Sequence, residues 1–141
     1  MKFTSRRLLG LKLFTVFAVV TVTSACAGGQ PSERSVANAF RMKATKVQVE
    51  DEGTVTRVLR MDTSGIPHQR FIIQTASGQT ILIEHNTEIA PAIEDLHIGA
   101  EIRFCGEYIW NEQGGLVHWT HHDPEGKHQP GWLKYNNSVF Q

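Results

Sequence analysis

Hydrophobic and polar residues alternate along most of the chain after residue 52, and this alternation predicts β-strands. In Gly53–Met61 the alternation places Leu59 and Met61 on the buried face, with threonine and arginine on the other. The segments Gln69–Thr75 and Gln79–His85 repeat the pattern on either side of a short Ala-Ser-Gly turn. We therefore expect a β-hairpin there.

Three later segments complete the strand pattern. Leu96–Trp110 predicts a long strand, Leu116–Thr120 a return strand, and Trp132–Phe140 a small hairpin that turns at Asn136-Asn137. The inward face of the long strand is predicted to carry Ile102, Phe104, Tyr108 and Trp110. The segment Asn86–Leu96 contains a proline and predicts a loop or helical turn that covers one end of the sheet.

These elements predict an all-β fold, a small five-stranded and mostly antiparallel β-barrel, because no βαβ alternation is present. The order of strand, hairpin, covering segment and two further strands resembles an OB-fold. A weak helical pattern predicts one short helix over residues 35–45, with Ser35 as its N-cap. The barrel domain is then expected over residues 46–141.

The N-terminus predicts export. Residues 1–25 form a signal peptide, with a basic start followed by an apolar stretch of ten residues, Leu13–Val22, too short for a membrane-spanning helix. Cys26 follows small residues in a lipobox-like arrangement, so we expect cleavage before it and lipidation; cleavage after Ala27 is the alternative. Residues 26–34 are expected to be a flexible tether. Ala27 after the cysteine favours the outer membrane.

Charge disfavours nucleic acid as a partner. The chain has 14 basic and 14 acidic residues, and removing the four basic residues of the signal leaves 10 against 14, a net charge of −4. Nucleic-acid binding normally needs a basic surface. Cys105 lies within a predicted strand, where a buried, inert thiol is expected.

A histidine-rich segment is the first candidate for chemistry. It contains His118, His121, His122, Asp123 and His128. On an extended chain His118 and His122 share one face, and His128 could return as a third ligand, so the geometry for a zinc or copper site is available. The alternatives are a rigid loop whose imidazoles bond to carbonyl groups and stack on indoles, or a pH-sensing cluster.

Polar residues at predicted strand ends form a second candidate set. They are His85, Asn86, Glu107 and Asn111. Glu107 beside a histidine, or Asp123, could act as a general base, although a polar network at the barrel rim is the alternative. Trp110, Trp119 and Trp132, with Tyr108, could form a surface that stacks on saccharides, or could pack into the core.

The segments HQRFII, SGQTILIEHNTEIAP, GEYIWNEQGG and HWTHHDPEGKHQPGWL resemble a small bacterial family catalogued only as a domain of unknown function. The resemblance spans roughly residues 53–140 and implies an exported or membrane-associated β-domain without established catalytic residues. The opening strand GTVTRVLRMDT also resembles thermonuclease-type OB-folds. Their Asp-Gly-Asp-Thr sequence is incomplete at Asp62-Thr63, and no matching arginine and glutamate follow.

We therefore expect a binding or structural module of the bacterial envelope, periplasmic or lipid-anchored and touching the membrane only through its N-terminal lipid. Its partner would be a small ligand, a glycan or an envelope protein, held by the histidine-rich loop and the barrel rim. The alternative is a metal-dependent hydrolase that uses the His118–His128 cluster, with Glu107 or Asp123 as base.

Overall fold

The computed structural model describes residues 32–141, which contain one short helix and seven strands. In chain order they are α1 (Val36–Arg41), β1 (Val47–Val58), β2 (His68–Thr75), β3 (Thr80–Asn86), β4 (Glu101–Ile109), β5 (Leu116–His118), β6 (Trp132–Tyr135) and β7 (Ser138–Phe140). The predicted signal peptide, Cys26 and most of the predicted tether lie outside this range. Within it, no helix is long and apolar enough to cross a membrane.

Five strands close into the predicted barrel. Its strand order is β1-β2-β3-β5-β4, and β4 pairs again with β1. All neighbours are antiparallel except β3 and β5, which run parallel through the pair Ile83 and Val117. The OB-fold-like order of the sequence analysis is compatible with this barrel. The β6–β7 hairpin extends from β4 and turns at Asn136 and Asn137, with φ of 46° and 64°.

The first strand differs from its prediction of Gly53–Met61. It begins at Val47, because its first half pairs with β4 through backbone hydrogen bonds while its side chains are mostly polar and give no clear alternation. A bulge between Val55 and Arg57 interrupts the pairing with β2, and the strand ends at Val58. Met61 is therefore exposed rather than in the core.

Two glycines allow the barrel wall to close. A Cβ at Gly53 would lie 2.3 Å from the Gln74 carbonyl oxygen, and one at Gly106 would lie 2.4 Å from the His118 carbonyl oxygen. Side chains at these two positions would collide with the neighbouring strand. Gly53 and Gly106 are thus two tight points of the wall.

The core lies inside the barrel and is sealed at one end by the segment between β3 and β4. Ile93 of this segment is buried, and its backbone N–H and C=O both bond to the side chain of Gln69. The helix packs Val36 and Ala39 against the barrel, and Ser35 is its N-cap as predicted. It ends earlier than predicted because the chain turns at Lys43, with φ of 49°.

Candidate functional site

The backbone changes direction at Trp119, immediately after β5. Trp119 has a φ of 51°, so the strand ends at His118 rather than at Thr120 as predicted. A left-handed conformation costs a non-glycine residue about 1–2 kcal/mol, and it is rarest for bulky side chains. The Trp119 side chain is nevertheless 36% exposed. An exposed indole thus sits on a strained backbone.

Three imidazoles surround the Trp119 indole. The ring centroids of His118, His121 and His128 lie 5.4, 5.7 and 4.0 Å from it. His121 and His128 also meet edge to face, at 5.4 Å. Contacts between imidazoles and an indole, as in one of the alternatives that the sequence offered, are therefore present around Trp119. These contacts pack the indole against the loop while leaving part of the residue exposed.

A cleft of about 160 Å³ opens beside Trp119. It lies where β2 begins and β3 and β5 end, because β2 pairs antiparallel with β3 through His68 and Asn86, and β5 runs parallel to β3. Its lining consists of Ile66, His68, Glu84, Asn86, His118, Trp119 and His121. One aromatic ring thus adjoins several hydrogen-bonding groups.

His118 is held by a carboxylate from the neighbouring strand. Its Nε2 lies 3.0 Å from Oε1 of Glu107, and the two residues are directly paired between β4 and β5. In the neutral imidazole, Nε2–H donates to Glu107, so Nδ1 is left as a hydrogen-bond acceptor. This is the pairing of Glu107 with a histidine that the sequence analysis considered for general base chemistry.

His85 supports the site from inside the barrel. It is fully buried, Nε2–H donates to the Pro91 carbonyl at 3.2 Å, and Nδ1 accepts from the Thr120 hydroxyl at 2.8 Å. Burial lowers the pKa of His85 to about 4, so the ring is neutral near pH 7. It anchors the residue after Trp119 and is not accessible to a ligand, in contrast to the prediction that it binds one.

The rest of the loop is organised by Asp123. Its Oδ1 accepts from the backbone N–H of Glu125, and its Oδ2 accepts from those of Lys127 and His128. Burial disfavours the charged carboxylate, but these donors outweigh it and lower the pKa of Asp123. Asp123 is thus committed to loop structure and is a weaker base than the sequence suggested.

His121 is buried under the loop. Its Nδ1–H donates to the His122 carbonyl at 2.6 Å, and its own carbonyl accepts from the backbone N–H of Gly131 at 2.8 Å. Burial, with the neighbouring His128, lowers the pKa of His121. The side chain that faces the cleft is therefore a neutral imidazole near pH 7.

Comparison with known protein families identifies the family of this chain. A family model described as "Protein of unknown function (DUF3465)" matches residues 18–141, which include every strand and the loop around Trp119. The chain belongs to the DUF3465 family. The family resemblance noted in the HWTHHDP segment is thereby confirmed. No curated protein matches the chain.

In this DUF3465 domain the proposed metal ligands His118, His122 and His128 do not come together. Across residues 32–141, no three His, Cys, Asp or Glu side chains form a group that could hold a metal ion. The shared face of His118 and His122 assumed an extended chain, and this assumption is wrong because the strand ends before Trp119. His122 is exposed.

The other two tryptophans are more covered. Trp110 stacks on Phe40, with 6.3 Å between ring centroids, and Lys43 lies over its ring. The ammonium group of Lys134 lies 4.1 Å from the Trp132 ring centroid. Trp119 is therefore the one tryptophan of residues 32–141 whose ring lines the cleft. Tyr108 is fully buried in the core.

Two further candidates have structural roles. The Asn111 side-chain oxygen accepts from the backbone N–H groups of Gln113 and Gly115, so it shapes the β4–β5 turn. Cys105 is buried as expected, and its sulfur accepts a hydrogen bond from Gln48. Burial raises the pKa of the Cys105 thiol, which keeps it protonated.

His68 and Glu84 line the cleft but were not singled out from the sequence. Each sits on the outer face of a strand, where a polar residue is ordinary. The cross-strand pair of His68 with Asn86 follows from hairpin register, so extending the predicted hairpin by one residue at each end would have found it. Asn86, which was a candidate, does line the cleft.

Proposed function

We propose that this DUF3465 domain is an exported, lipid-anchored binding module of the bacterial envelope that holds one sugar ring of a glycan in the Trp119 cleft. The observation that carries the proposal is the half-exposed indole of Trp119 on a strained backbone at the mouth of a polar cleft. Backbone strain of this kind is typically found at functional sites. Asparagine or glycine would satisfy the same turn at lower cost.

The chemistry of the lining supports a saccharide. Sugars present an apolar ring face, which packs on an indole, and hydroxyl groups, which need donors and acceptors. The Trp119 ring supplies the first, and His68, Glu84, Asn86 and His118 supply the second. The lining contains no lysine or arginine, so a neutral polyhydroxyl group suits this cleft better than an anion.

The size of the cleft supports a single ring. Its volume of about 160 Å³ is well below the roughly 300–1,000 Å³ of pockets that enclose a drug-sized ligand. A ligand held here would therefore insert one ring and extend along the surface. A polysaccharide of the envelope has this form.

The alternative of a hydrolase is favoured by one observation, the contact between Glu107 and His118. A carboxylate that orients an imidazole is a common arrangement of a general base. In such an enzyme His118 Nδ1 would receive a proton from water or from a hydroxyl of the ligand. Binding of a zinc or copper ion would require the imidazoles to rotate towards one another. Metal analysis of the purified protein therefore tests the metal dependence of this hydrolase separately.

The proposed cellular location of the protein depends on its N-terminal residues. Export, cleavage before Cys26 and acylation would place the domain in the periplasm, with Ala27 favouring the outer membrane. Fractionation of cells that produce the wild type and Cys26→Ser tests this. Loss of membrane association and of palmitate labelling in the variant is expected, and an unchanged membrane fraction would contradict it.

The binding proposal is tested by titrating the exported protein, as processed by the cell and purified in mild detergent, with an N-acetylglucosamine tetrasaccharide. Calorimetry should show binding by the wild type and none by Trp119→Asn, since asparagine tolerates the left-handed backbone and keeps the fold. Trp132→Phe is the matched control and should bind normally. Equal binding by Trp119→Asn would refute the proposed site.

A further inference from the structure

A second depression lies behind the wall of the Trp119 cleft. It has a volume of about 410 Å³, and its lining includes Arg34, Lys46, Glu107, Lys127 and His128. We call it the basic groove. It brings together residues from the segment before α1, the start of β1, the end of β4 and the loop organised by Asp123.

The basic groove has the opposite charge to the domain. Residues 32–141 carry 10 basic and 14 acidic side chains, yet three of the basic residues and one acidic residue line this groove. Within the described chain, neither Arg34 nor Lys46 forms an ion pair. The single acid, Glu107, is engaged by His118 at 3.0 Å. Two cations are thus available to an anion from outside.

One layer of side chains separates the basic groove from the cleft. Glu107 lines the groove and bonds to His118, which lines the cleft. His128 lines the groove and packs against Trp119, with 4.0 Å between ring centroids. The cleft and the basic groove therefore share one wall, and their lining residues are in direct contact.

We propose that the basic groove binds an acidic group of the same glycan whose neutral ring occupies the Trp119 cleft, so that the ligand is an anionic polysaccharide. The inference rests on the proposed function and adds the ligand class. The imidazoles and the indole would select the ring. Arg34 and Lys46, together with Lys127, which is paired with Glu125, would select a carboxylate or phosphate on the adjacent unit. A charged group recognised beside a stacked ring gives specificity as well as affinity.

The experiment compares two tetrasaccharides of equal length on the exported protein as processed by the cell. One is the neutral N-acetylglucosamine oligomer, and the other alternates N-acetylglucosamine with N-acetylmuramic acid, which carries a lactyl carboxylate. The wild type should bind the anionic oligomer more tightly, and added salt should reduce the difference. Lys46→Gln and Lys127→Gln should each weaken anionic binding by about two- to fivefold. Neutral binding should not change.

Lys134→Gln is the matched control, because it removes the same charge at a position on β6 that does not line the groove. It should leave both affinities unchanged. Equal affinity for the two oligomers, with Trp119-dependent binding intact, would overturn the inference and leave the proposed function standing. Binding of neither oligomer would overturn both. Lysine-dependent sedimentation with phosphatidylglycerol vesicles, without preference between the oligomers, would assign the groove to lipid headgroups instead.

Discussion

Acidification should destabilise the domain through His85, because this imidazole is held neutral inside the barrel. Burial lowers the pKa of His85 from 6.5 to about 4, whereas the unfolded chain protonates it at its ordinary value. Between these two pKa values the unfolded state binds a proton that the folded state does not. Stability is therefore unaffected above pH 6.5 and falls as the pH drops from there towards 4.

The size of the effect follows from the two pKa values. A difference of about 2.5 units corresponds to about 3 kcal/mol once both states are protonated, and about 2 kcal/mol of it is lost between pH 8 and pH 5. His121, whose pKa burial also lowers, adds to the loss in the same direction. Such a loss is a large part of the roughly 5–15 kcal/mol by which domains are stable.

Urea denaturation at about pH 8, 6.5 and 5 measures this slope. His85→Gln should remove most of it, and His122→Gln, which changes an exposed imidazole, should retain it. A slope in His85→Gln equal to that of the wild type would show that His85 does not cause the pH dependence. If His85→Gln does not fold, NMR of the wild type decides instead. The His85 ring resonances should not titrate above about pH 5, and titration near pH 6.5 would be contradictory.

Three further predictions concern the barrel and the loop. Gly106→Ala should lower the free energy of unfolding by about 2 kcal/mol, since its Cβ would meet the His118 carbonyl; denaturation checks this, and an unchanged midpoint would show that β5 can move. Asp123→Ala should speed amide exchange at residues 125–128, and unchanged exchange would mean that the carboxylate does not hold the loop. Cys105 should react with a thiol reagent only on unfolding; rapid reaction in the native protein would contradict its burial.

Most of the fold could be predicted from the sequence, because the residue patterns that indicate its strands and turns are local. The hairpin of β2 and β3 follows from alternation on both sides of a short turn, and Asn136-Asn137 has the residue type that its left-handed turn requires. The first half of β1 escaped detection, because it belongs to the sheet through backbone pairing with β4 and carries polar side chains. Such long-range pairing has no local signature.

The candidate site could be predicted from the sequence only in part. Glu107 and a histidine were considered together, and the structure pairs them across β4 and β5. The prediction that His118 and His122 share one face of a strand was wrong, because Trp119 between them adopts a left-handed conformation. This conformation is uncommon for a bulky residue and is favoured by glycine and asparagine. His85 looked like a rim residue, yet alternation within β3 turns it inward. A conformation that contradicts residue preference could not be inferred from those preferences.

The claim that Trp119 forms a saccharide site is tested most directly by NMR. The three tryptophans each give one indole N–H signal, and titration with the N-acetylglucosamine tetrasaccharide can follow them separately. We expect the Trp119 signal to shift together with the amides of His68 and Asn86, while the Trp110 and Trp132 signals stay in place. No shift at saturating saccharide, or shifts confined to Trp110 or Trp132, would contradict it.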